Sequence, residues 1–195
     1  MLRWISGLLM LSVVAACSGS ADLKDPPVPL GDFKLVHNIV VASKAQRGPV
    51  SRKVSEELLE STMKAAIAER FDRYDGASGY HFGISVEGYV LAVSGVPLVA
   101  PKSVLIINLT VWDDAAGKKL NQEPREIVVF ETFGTDLVIG SGFTMSPEEQ
   151  LVILSQNAAK EVQDYLVEQR DEQGWFTPDP APLTEAETTA ETPEV

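Results

Sequence analysis

Two hydrophobic periods divide the middle of this chain into six elements. Phe33 to Ala42 contains Ile39-Val40-Val41 and predicts a strand. Residues 54–74 carry Val54, Leu58, Met63, Ala66, Ile67, Phe71 and Tyr74 at helical spacing, with Glu56 and Glu57 in the first turn, where negative charge suits the helix dipole. Asp75-Gly76-Ala77-Ser78-Gly79 ends that helix. Tyr80, Phe82, Ile84, Val86 and Val90 alternate with polar or small residues, the pattern of a strand with one solvated face. Gly83 and Gly88 within it predict a bulge or a close backbone approach. Val104 to Trp112 and Glu126 to Phe133 predict two more strands, the first ending in the turn Asp113-Asp114-Ala115-Ala116-Gly117. Ser146-Pro147-Glu148-Glu149 then opens a second helix with a capping serine, a proline at the first helical position and a glutamate three residues after the cap. Its apolar stripe (Leu151, Leu154, Ala158, Val162, Tyr165, Leu166) carries it to about Arg170.

The order strand, helix, three strands, helix predicts an α+β two-layer sandwich. Its four-stranded sheet is mostly antiparallel, and both helices cover one face. The short link from the first helix to the second strand makes the first two long strands run the same way. Residues 43–53, 94–101 and 134–145 then share one end of the domain, and both chain termini leave from the other. The first of these connections is basic, with Lys44, Arg47, Arg52 and Lys53. The other two are apolar for loops, carrying Val96, Leu98 and Val99, then Leu137, Val138, Ile139 and Phe143. Arg52, Lys53, Val96, Leu98, Val99, Leu137, Ile139 and Phe143 are therefore candidate partner-binding residues. Caps over the open end of the core are the competing explanation.

Outside this domain the composition changes. Arg3 followed by the apolar run Ile5 to Ala15 reads as a secretory signal, too short to span a membrane. It ends in Val14-Ala15-Ala16-Cys17, which resembles a bacterial lipobox. The resemblance implies a lipoprotein signal peptide over 1–16 and a Cys17 that is acylated and becomes the new N-terminus. Two or more acyl chains anchor stably where one does not. Residues 17–32 are rich in Ser, Gly, Pro and charge, including Asp25-Pro26-Pro27-Val28-Pro29, and read as a flexible linker able to reach about 45 Å. The globular domain spans 33–171. Residues 172–195 hold six acidic and no basic residues and read as a disordered tail, with Trp175-Phe176 pinning the end of the domain.

Charge and chemistry narrow the function by exclusion. A net charge of −12 argues against nucleic acid as a partner. The only cysteine, Cys17, is the acylated one, which leaves no disulfide and no thiol nucleophile. The two histidines, His37 and His81, stand in no ligand-like sequence pair, and no metal or cofactor is expected. Gly134 to Gly142 precedes a helix but lacks the ending of a phosphate loop. Asp113 and Asp114 read as turn formers rather than as a catalytic pair, so no catalytic residue is expected.

Over residues 33–171 the element order, with Asn157-Ala158-Ala159-Lys160 in the last helix, resembles the small domain of several bacterial envelope lipoproteins. These are the lipopolysaccharide-assembly, ABC-transport auxiliary and curli-secretion types. The resemblance carries no functional residue beyond Cys17. The anchor, the linker, the apolar loops at the far end and the lack of a catalytic set favour a non-catalytic accessory subunit that binds the lipid bilayer through Cys17 and an envelope protein through its other end. A periplasmic module for a small lipid or glycan is the alternative. Ser18 follows the lipidated cysteine where aspartate would imply retention at the inner membrane, so the outer membrane is the expected address.

Overall fold

In a computed structural model the chain is described over residues 20–93, 103–131 and 145–177. Strand β1 (Lys34–Val41) is followed by β2 (Gln46–Arg47), helix α1 (Glu56–Phe71), β3 (Gly79–Val90), β4 (Val104–Asp113), β5 (Lys118–Lys119), β6 (Arg125–Phe130) and helix α2 (Pro147–Gln173). The body of the sheet runs β1-β3-β4-β6, with β1 parallel to β3 and the other two pairings antiparallel. The expected four strands become six, because the chain pairs briefly on either side of two turns. The two residues of β2 extend the parallel edge beside Gly88-Tyr89, and β5 folds back on Trp112-Asp113.

Local chemistry sets the helix limits. The Ser55 side chain accepts from the Leu58 N–H and starts α1 at Glu56, so Val54 stands before the helix rather than in it. At α2 the Ser146 hydroxyl accepts from the Glu149 N–H (3.1 Å) while the Glu149 carboxylate accepts from the Ser146 N–H (2.7 Å), a complete capping box. Gly174 closes the helix at φ 69°, in the left-handed region that glycine enters without strain, which carries α2 past Arg170 to Gln173.

Both helices lie on one face of the sheet. Phe33 sits at the centre of the core, stacked on Tyr80 at 5.3 Å and set edge-on against Phe71, Tyr74 and Phe176. Met63, Ile67, Phe82, Ile84, Leu154, Ala158 and Val162 fill the space between helices and sheet. Phe176 is itself in that core, so the domain extends beyond residue 171 to the last described residue, Thr177.

A larger correction concerns the N-terminal segment. Residues 20–32 are packed on the domain rather than free. Ala21–Lys24 form a 3₁₀ turn, Leu30 is buried in the core, and Asp32 N–H donates to the Phe176 carbonyl (2.9 Å). The two ends of the described chain thus meet at the base of the molecule, beside the start of β1.

Candidate functional site

At that base, Arg70 of α1 is only 2 % exposed and needs compensation for a charge taken out of water. Its guanidinium donates to both carboxylate oxygens of Asp22 (2.8 and 3.1 Å) and to the Gln163 side-chain carbonyl of α2 (2.7 Å). The Gln163 amide donates to the Tyr74 hydroxyl (2.6 Å), which in turn donates to the Val28 carbonyl (2.8 Å). Arg73 and Arg170 donate to the carbonyls of Asp25 and Pro29. The hydrogen bond from Arg70 holds the Asp22 carboxyl below its usual range against the opposing effect of burial. Burial pushes the Tyr74 phenol up. This network is a clamp that fixes residues 20–32 to both helices.

The opposite end has a different character. The Arg52 N–H donates to the Leu91 carbonyl (3.1 Å), the Leu91 N–H to Ser51 Oγ (2.9 Å), the Ala92 N–H to Ser103 Oγ (3.1 Å) and the Glu131 N–H to the Ser103 carbonyl (3.0 Å). One Arg52 nitrogen also donates to the Met145 carbonyl (2.9 Å), just ahead of α2. Hydrogen bonding at the helix start, first to its own N–H and then from Ser146, holds the Glu148 carboxyl low, and the charge of Arg52 adds to this. Glu131, Gln150 and Ser155 are buried, and among the described residues both Glu131 oxygens, both polar atoms of Gln150, the Ser155 hydroxyl and two nitrogens of Arg52 have no hydrogen-bond partner. Each such orphan costs of order 1–3 kcal/mol relative to a satisfied group.

Arg52 and Lys53 stand at this distal end, with Arg52 half-buried and Lys53 exposed. Val96, Leu98, Val99, Leu137, Ile139 and Phe143 lie outside the described residues, as does Cys17. Residues 93, 103, 131 and 145, where the two undescribed segments join the described chain, all belong to this end of the fold.

The sheet face away from the helices carries exposed Val36, Ile39, Val41, Trp112, Val128 and Phe130. Ile39, Val41, Gly83, Thr110 and Pro124 line an open cleft of about 310 Å³ on that face. A second cleft of about 290 Å³ lies between β6 and α2, where Arg125 sits 5.2 Å over the Tyr165 ring. The space between helices and sheet, where a lipid or glycan would have to lodge, is occupied by the aromatic and aliphatic core.

The structure also joins what sequence spacing keeps apart. His37 and His81, 44 residues distant, meet with their Nδ1 atoms 2.8 Å apart. Asp114 takes the other His81 nitrogen at 3.0 Å, while its neighbour Asp113 does what a turn former does and accepts from the Ala116 N–H (2.8 Å). Among the described residues no group of three or more His, Cys, Asp or Glu is arranged around a common metal position. The histidine pair was hidden because its register depends on a bulge. The clamp had one visible signal, an arginine on the buried side of α1 after Met63, Ala66 and Ile67.

The chain matches no family model and no curated protein. Among solved structures it is similar to a Xanthomonas campestris protein of the DUF330 family (TM-score 0.47, 13 % identity, covering 75 % of this chain and 94 % of that one). It is also similar to a candidate lipoprotein from Caulobacter crescentus (TM-score 0.36, 14 % identity, 74 % and 93 % covered). A third is the PelC dodecamer of Paraburkholderia phytofirmans (TM-score 0.37, 11 % identity, 69 % and 92 % covered). At these scores the likeness transfers no function to this chain.

Proposed function

We propose that this chain is a non-catalytic envelope lipoprotein, held at the periplasmic face of the outer membrane by acylated Cys17, that binds an envelope protein through its distal end as an accessory or assembly subunit. The observation that carries the reading is the set of buried polar groups on Arg52, Glu131, Gln150 and Ser155 that have no hydrogen-bond partner among the described residues. Asn38 Oδ1 is the one other such orphan among the described residues, and a cluster of this size carries a cost that a partner's donors and acceptors would offset. The clamp at the base supports the same polarity. Only four residues lie between Cys17 and Asp22, five steps along the chain with a reach of at most about 17 Å. A base held that near the bilayer turns the distal end away from it. The lipopolysaccharide-assembly and ABC-transport auxiliary types that the element order resembles fit this role.

The filled helix–sheet interface favours a protein partner over a small lipid or glycan. The test is a photo-crosslinking residue at exposed Lys53 in the full chain in native membranes, with Lys119 at the opposite end as the control position. The reading expects one envelope protein crosslinked from Lys53 alone, and its loss in Arg52→Ala while a melting curve shows the domain still folded. Equal crosslinking from both positions, or a lipid or glycan released from the purified protein in place of a partner, overturns it.

A further inference from the structure

We propose that His37 and His81 form a two-histidine site for a divalent transition-metal ion, Cu(II) foremost, on the open face of the sheet. The backbone builds the pair. In the parallel pairing of β1 and β3, Leu35 stands opposite Tyr80 and His37 opposite His81, so Val36 is an extra residue on one strand only. Without that bulge Val36 would face His81, and His37 would be turned to the other face of the sheet, since successive side chains alternate. The bulge re-aims one side chain, and it brings His37 into contact with His81.

The third group sets the proton positions. The Asp114 backbone N–H donates to the Gly79 carbonyl (3.1 Å), which holds the residue against the start of β3. Its carboxylate lies 3.0 Å from His81 Nε2 and accepts a hydrogen bond from a proton held on that nitrogen, the tautomer that leaves a lone pair on His81 Nδ1. A carboxylate that fixes the tautomer of a histidine whose other nitrogen is a ligand is the usual outer partner of a metal-binding imidazole. In the metal-free protein the His37 Nδ1–H donates to that lone pair at 2.8 Å. When His37 carries its proton on Nε2 instead, two Nδ1 lone pairs face one small space at the protein surface.

The imidazole pair favours the ion by ligand type. Two nitrogens each about 2.0 Å from a metal stand about 2.8 Å apart when they subtend 90°, and about 3.3 Å apart at a tetrahedral angle. The 2.8 Å between the two Nδ1 atoms is the hydrogen bond of the metal-free protein; it brings them near such a bite, and the general affinity order of divalent ions for nitrogen ligands, with Cu(II) above Ni(II) and Zn(II), is what puts Cu(II) first. Rotation about the Cβ–Cγ bonds, a soft torsion in histidine, aims the lone pairs without moving either strand. With no third described residue completing the set, the remaining positions belong to water or to a ligand supplied from outside.

Trp112 supplies a reporter. It pairs directly with His81 across β3 and β4 and lies on the same face, where a bound paramagnetic ion quenches its fluorescence. The experiment titrates the full-length protein in detergent micelles with copper sulfate, and separately with nickel and zinc chloride. It follows tryptophan fluorescence, calorimetric stoichiometry and the nitrogen splitting of the copper electron paramagnetic resonance signal. The proposal expects one Cu(II) per chain, splitting from two nitrogens, and weaker Ni(II) and Zn(II). His37→Gln and His81→Gln should each weaken copper at least tenfold, and Asp114→Asn by about tenfold or more. Trp112→Phe should remove most of the quench while leaving the calorimetric affinity in place. All four positions face solvent at least in part, and melting of each variant checks that it folds. Copper affinity unchanged in both histidine variants, or lost in His81→Gln but not in His37→Gln, overturns the proposal.

Discussion

Asp22→Ala removes the carboxylate that compensates the most deeply buried charge at the base of the domain. Arg70 keeps Gln163 as an acceptor, but its guanidinium, 2 % exposed, loses both bonds to a negative partner. Truncating one member of a buried pair typically costs about 3–5 kcal/mol. Asp22 is 30 % exposed on its side chain and partly screened, which brings the expected loss to about 2 kcal/mol. At 2–4 °C per kcal/mol for a domain of this size, melting should fall by about 4–8 °C. The converse change, Arg70→Met, frees Asp22 to return to water beside Lys160 and should cost less. The double variant should be more stable than the sum of the two single losses implies, because the buried charge is gone. Denaturant melts of the full-length chain in micelles give the energies, and limited proteolysis reports on residues 20–32. Cleavage there should be slow in the wild type and fast in Asp22→Ala. Equal melting, with equally fast cleavage in both proteins, would refute the clamp and restore a free linker.

Further consequences follow from the same contacts. Ser146→Ala removes the hydroxyl that accepts from the Glu149 N–H, leaving the other half of the capping box (Glu149 carboxylate on the residue-146 N–H) in place, and should cost about 1 kcal/mol, about 3 °C in a calorimetric scan. Phe176→Ala opens a cavity against Phe33 and Tyr80 and should cost about 3 kcal/mol, whereas a stop codon after Thr177 should leave melting unchanged. The carboxyls of Asp22, Asp32, Glu57, Glu148 and Asp171 are all held low by hydrogen bonds, led respectively by Arg70, Ser78, Glu57's own N–H, Glu148's own N–H and Arg170. Folded values below unfolded ones mean stability is complete above about pH 5 and is lost as pH falls through 4 and below, a slope that urea melts at stepped pH will read.

What the sequence disclosed and what it hid divide along one physical line. The helices, the three long antiparallel-paired strands and the bulge near Gly88 come from local signals: the period of Leu151 to Leu166, the Ser146 cap and the alternation from Tyr80 to Val86. Short-range geometry even settles the parallel run of β1 and β3. Contacts decided by distant partners are different. Asp25-Pro26-Pro27-Val28-Pro29 has no internal hydrogen bonds to make, so it reads as a solvated tether, yet its free carbonyls are what Arg73, Tyr74 and Arg170 bond. His37 and His81 are unremarkable until a one-residue bulge at Val36 sets their register. Arg52 and Lys53 were found as a basic cluster. The orphaned Glu131 and Gln150 were not, since a glutamate after a strand and a glutamine in the first turn of a helix ordinarily face water.

The intact mass of the full-length protein, extracted with detergent from fractionated membranes, tests the central claim most directly. The account predicts a chain beginning at Cys17, its mass raised by acyl chains on the sulfur and the new amino terminus, in the outer-membrane fraction. A chain that keeps residues 1–16, or one that carries a free thiol at Cys17, would contradict it.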